Sequence, residues 1–76
     1  MKTADEMFEE LGYEIIIDNG TTLNYEKEGA LFDKEIVFEL IDKNVCAELG
    51  TGESANISVA ELQAINQKCK ELGWME

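Results

Sequence analysis

Hydrophobic and polar positions change period twice along this chain. Met7, Phe8 and Leu11 follow helical spacing, the apolar residues between Tyr13 and Leu49 largely alternate, and from Val59 the 3–4 spacing returns. The pattern predicts a short helix, a strand-rich middle and a longer helix.

Both helices carry the same end signals. Thr3-Ala-Asp-Glu6 and Ser58-Val-Ala-Glu61 are capping boxes, in which a hydroxyl and a glutamate satisfy the first free N–H groups. Leu11-Gly12-Tyr13 and Leu72-Gly73-Trp74 place glycine just past the last turn, with an aromatic after it, as a Schellman stop requires. The first helix is expected over 4–11, with Met7, Phe8 and Leu11 as a narrow apolar face. The second is expected over 59–72, with Val59, Leu62, Ile65, Cys69 and Leu72 inward.

Between them, residues 13–18 read as a strand with Tyr13, Ile15 and Ile17 on one face. Asn19-Gly20 is a hairpin signal. A three-residue loop, Asp18-Asn19-Gly20, would pair Ile15 with Leu23 and Tyr13 with Tyr25, keeping apolar side chains together. The next strand, 21–27, turns Thr22, Asn24 and Glu26 outward. After a loop over 28–33, strand 34–41 puts Ile36, Phe38 and Leu40 in and Glu35 and Glu39 out. A tight turn at Lys43-Asn44 would set Leu40 opposite Ala47 and Phe38 opposite Leu49, with a fourth strand over 45–49; Asn44 could equally close a three-residue loop. Residues 50–55 are a loop, and Asn56-Ile57 a short extended piece. The expected fold is α+β, a four-stranded antiparallel β-meander with the N-terminal and C-terminal helices packed on one face, in the order α-β-β-β-β-α. The chain, 76 residues long, reads as one domain, and a domain of this size has a thin stability margin.

Charge changes this picture more than composition does. Seventeen acidic residues stand against six lysines, with no arginine or histidine, for a net charge of −11. Such a field opposes direct contact with nucleic acid or anionic lipid and favours a basic partner. No run approaches the ~20 apolar residues of a membrane span. Lys2 is followed by acidic residues rather than an apolar stretch, so no secretory signal is expected and the cytoplasm is the expected compartment.

Candidate chemistry is sparse. Without histidine there is no Ser-His or Cys-His pair, and carboxylate pairs carry no information in so acidic a chain. No catalytic residue, metal site or cofactor is expected. Asp18-Asn19-Gly20 lacks the alternating ligands of a calcium loop. Gly50-Thr51-Gly52 lacks the lysine of a phosphate loop and stands too far from the helix start. Cys69 reads as a buried thiol acting as a small hydrophobe.

The sheet face left bare by the helices is the remaining surface. In the registers above it presents Glu14, Ile16, Asp18, Asn24, Glu26, Val37, Glu39, Ile41, Cys46 and Glu48. Of these, Ile16, Val37, Glu39, Ile41, Cys46 and Glu48 form the candidate interaction face, apolar residues set among acidic ones. Ordinary strand propensity on a solvated face accounts for the same residues. The expected partners are a protein or a second copy of the chain in a homodimer. The alternative is an acidic mimic of nucleic acid that blocks a DNA-binding protein.

Four stretches together, Ala4 to Tyr13, Asn19-Gly-Thr-Thr with Tyr25-Glu-Lys, Ile36-Val-Phe38, and Glu61 to Trp74, resemble small proteins of unknown function from Gram-positive bacteria, their phages and mobile elements. The resemblance spans most of the chain, but its motifs are helix caps rather than catalytic residues. It implies a short cytoplasmic accessory protein, phage-encoded, and brings no activity, cofactor or site residue with it.

Overall fold

A computed structural model of the chain describes residues 2–75. The elements follow in the order α1 (Ala4–Glu10), β1 (Glu14–Asp18), β2 (Thr22–Lys27), β3 (Lys34–Glu39), β4 (Asn44–Leu49) and α2 (Val59–Glu71). The strands form one antiparallel sheet in the order β1-β2-β3-β4. This is the expected α+β meander.

Both helix ends behave as their sequences specify. The Thr3 and Ser58 side chains accept from the Glu6 and Glu61 N–H groups, and each glutamate accepts from the backbone of its cap. At the far ends the Tyr13 N–H donates to the Phe8 carbonyl and the Trp74 N–H to that of Cys69, both at 2.9 Å. Gly12 and Gly73 hold φ of 92° and 79°, the left-handed conformation that these stops require. Each stop turns its aromatic back onto the helix, and Tyr13 meets the Phe8 ring edge-on at 5.7 Å.

The core lies between one sheet face and both helices. Phe8 of α1 and Ala64, Ile65 and Cys69 of α2 pack on Leu23, Tyr25, Ile36 and Phe38 of the sheet. Phe8 is the centre. Its ring stacks on Tyr25 at 4.0 Å and meets Phe38 edge-on at 6.2 Å. The helices touch each other as well: the Ala4 N–H donates to the Glu71 carboxylate at 2.8 Å, and Lys68 reaches Asp5 at 3.4 Å.

Three expectations need correction. First, β1 is shifted and bulged. Ile15 faces Tyr25 rather than Leu23, Ile17 faces Asn24, and the irregularity between them leaves Ile16 without a partner. Tyr13 precedes the strand. All three isoleucines are 40–44% exposed, so none belongs to the core. The turn explains the shift. The Asn19 side chain accepts from the N–H groups of Thr21 and Thr22, at 3.1 and 2.9 Å, which closes the hairpin around Gly20 and Thr21.

Second, the β3–β4 turn takes four residues, 40–43. Phe38 faces Val45 rather than Leu49, and Ile36 rather than Leu40 faces Ala47, four residues from the expected register. Lys43 adopts φ of 60°, closing the longer turn. Leu40 leaves the strand yet packs on the core, whereas Ile41 is 74% exposed at the turn and lies off the sheet face.

Third, the buried face of α2 is rotated. Glu61, Ala64, Ile65 and Cys69 are buried, while Val59 is 73% exposed and Leu62 is also exposed. A carboxylate takes the inward position of the first turn because three donors meet it there. Lys34 Nζ at 2.7 Å, the Ser58 N–H at 2.8 Å and the Tyr13 hydroxyl all donate to Glu61.

Candidate functional site

Cross-strand pairing organises the bare sheet face into rows. Glu14 faces Glu26, Glu26 faces Glu35 and Glu35 faces Glu48, one glutamate from every strand. At about 4.8 Å per strand, the row spans about 14 Å. The next row is Ile17, Asn24, Val37 and Cys46, and beyond it lie Thr22, Glu39 and Asn44.

The sheet's lysines lie on the opposite side. Lys27 faces Lys34 in register with the core residues. Lys34 is engaged by Glu61, and Lys27 sits over the Tyr13 ring at 5.8 Å. Lys2 and Lys68 are paired with Glu10 and Asp5. The strands therefore sort charge by face, with lysine toward the helices and glutamate away from them.

Like charges directly opposite one another destabilise a sheet. The consequence is visible at Glu26. Partial burial pushes its carboxyl above the usual range, and the charges of Asp33, Glu35, Glu14 and Glu28 push it further. Relief inside the row is slight. Asn24 donates to Glu35 at 2.8 Å, while the buried Asn24 Oδ1 has no partner.

The six sequence-predicted face residues divide. Val37 and Cys46 are direct partners, flanked by Glu48 on one side and Glu39 on the other, so these four share one surface. Ile16 stands at the β1 bulge, at the sheet edge, and Ile41 lies in the β3–β4 turn; neither belongs to the rows. Sequence reasoning missed the principal feature, the alignment of Glu14, Glu26, Glu35 and Glu48. All four are expected to face outward, but alignment depends on register, and the expected β1–β2 and β3–β4 registers are both displaced in the structure.

Cys46 is exposed and free, and Cys69 is buried and free, as the sequence suggested for Cys69. Burial raises the Cys46 thiol pKa, with the Glu48 and Glu39 charges adding to it, so the thiolate nucleophile is suppressed. Among the described residues no group of three or more carboxylate or thiol side chains is placed to hold a metal ion. No described helix is long and apolar enough to cross a membrane.

Two first-turn carboxylates, buried Glu61 and exposed Asp5, serve the fold. Burial alone would raise the Glu61 carboxyl, but hydrogen bonds from Lys34, Ser58 and Tyr13 outweigh it and draw the pKa down to about 2. Tyr25 donates to Asp5 at 2.5 Å. Burial, then these carboxylate contacts, pushes both tyrosine hydroxyls far up, so each stays protonated and donates. The first-turn acids of both helices thus join helix to sheet in the same way.

No family model, no curated protein and no solved structure matches this chain.

Proposed function

We propose that this chain is a small, non-enzymatic accessory module that binds a cationic protein partner through its acidic sheet face. The carrying observation is the row Glu14–Glu26–Glu35–Glu48, lying opposite the helix layer and without a lysine from any strand on that side. Four aligned carboxylates repel one another in the free protein. A partner's lysines or arginines would relieve that repulsion, so binding gains from a feature that folding alone opposes. The adjacent Val37 and Cys46 offer an apolar strip for the centre of such a contact. A cytoplasmic setting fits two free cysteines. The resemblance to small phage and mobile-element proteins fits an accessory role.

Titration with a lysine-rich peptide across a salt series tests this reading. Affinity should fall steeply as salt rises, and the Glu26→Gln/Glu35→Gln/Glu48→Gln variant should bind at least tenfold more weakly. Unchanged affinity in that variant would place binding elsewhere. Mimicry of nucleic acid is the second reading, supported by the same spaced carboxylates. It requires that the chain compete with duplex DNA for a DNA-binding protein.

A further inference from the structure

The two edges of the sheet are finished differently. Beyond β4 the chain turns back on itself. The Leu49 N–H donates to the Glu53 carbonyl at 2.7 Å, the Ala55 N–H to that of Ala47 at 3.0 Å, and Ser54 bridges Glu48. That edge is closed. On the other side, among the described residues, no hydrogen bond other than those of the β1–β2 ladder reaches residues 14–18. β1 is an open edge, and every one of its residues is exposed.

Beside this edge lies an open groove of about 750 Å³. Asp5 and Glu9 of α1 line it together with Ile15 and Tyr25, which face each other across β1 and β2. The groove exists because both helices pack over the inner strands and leave the inner side of β1 uncovered. It too is acidic, and the one cation lining it, Lys27, is held over Tyr13.

We propose that a partner's extended cationic segment, alternating basic and apolar residues, adds to β1 as a further strand. The proposal rests on the cationic partner inferred above and specifies its form. An added strand makes main-chain hydrogen bonds to the open edge and sends alternate side chains to the two faces. Its basic residues then share the outer face with Glu14 and the glutamate row, and its apolar residues fall on the inner face beside Ile15 at the groove. The Ile16 bulge limits regular pairing to a short stretch, which centres the contact on Glu14 and Ile15, next to the groove. A second copy of the chain fits this edge poorly. Antiparallel self-pairing about Ile16 would set Glu14 opposite Asp18 of the second copy twice, between two chains of net charge −11.

The test compares a seven-residue peptide alternating lysine and valine with its glutamate–valine counterpart, reading affinity and amide hydrogen exchange on the full chain. With the lysine peptide near saturation, amides in 14–18 should exchange at least tenfold more slowly, and the glutamate peptide should have no effect. Ile15→Lys, at a half-exposed position, should weaken binding at least tenfold while leaving amide exchange in β3 unchanged. Binding of the lysine peptide without added protection at 14–18 would overturn strand addition and leave the acidic-face reading standing. Failure of the lysine peptide to bind, where a longer lysine-rich chain does bind, would overturn it in the same way. Protection of 14–18 that grows with protein concentration in the absence of peptide would assign the edge to a second copy and overturn the proposal too.

Discussion

Glu61 shows how one residue holds several links at once. It caps α2 through Ser58, pairs with Lys34 of β3 and accepts from Tyr13, the residue that ends the α1 stop. A buried carboxylate is tolerated only while its donors remain. Lys34→Met removes the sole cation at the site and should cost about 3–5 kcal/mol, near the whole stability of so small a domain. Urea denaturation checks this, and Lys34→Met/Glu61→Gln should recover part of the loss, because no uncompensated charge is then buried. Lys34→Met alone matching the wild type would mean that the pair is solvated.

At the scale of elements, the caps dictate where helices stop more firmly than propensity does. Gly73 holds a left-handed φ of 79°, so Gly73→Ala should destabilise by about 1–2 kcal/mol. It should also loosen Trp74, whose ring lies against Phe38, and a red-shifted tryptophan emission would report that. These caps were fully legible in the sequence, as were all six elements, the helix layer and the inward set Phe8, Tyr25, Ile36 and Phe38. The registers were less so. Alternation with period two fixes which residues share a face, yet sliding a strand by any even number of places preserves it. That is why Phe38 could be matched with Leu49 when it faces Val45. The β1 bulge breaks the rule altogether, and only the Asn19 side chain, bonding its own turn, hinted at it. The candidate face was legible as an acidic surface with Val37 and Cys46, while its row of glutamates was not, since a row exists only once every register is right. The inward turn of Glu61 was hidden because its donors come from distant strands.

For the molecule as a whole, the sorting of charge makes stability depend on pH in two opposed ways. Glu26 has a folded-state pKa above its ordinary value of 4.5, so the folded chain takes up that proton before the unfolded chain does. Stability therefore increases as pH falls from 7 through the Glu26 pKa. Glu61 has a folded-state pKa lowered from 4.5 to about 2, so its contribution is complete above 4.5 and is lost as pH falls from 4.5 toward 2. That contribution is on the order of 3 kcal/mol. The chain should accordingly be most stable in mildly acidic solution rather than at neutrality, and should unfold steeply below pH 4. Thermal melts across pH 2–8 measure the profile. Glu48→Lys converts one like-charge pair of the row into an opposite-charge pair and should stabilise the protein by about 0.5–1 kcal/mol at pH 7. The same substitution should weaken binding of a lysine-rich peptide. If neutral-pH stability rises while peptide affinity holds, the row burdens the fold without serving a partner. If both move as stated, the row trades stability for recognition. Added salt should then narrow the gap between variant and wild type, because the repulsion involved lies on an exposed face within reach of screening ions.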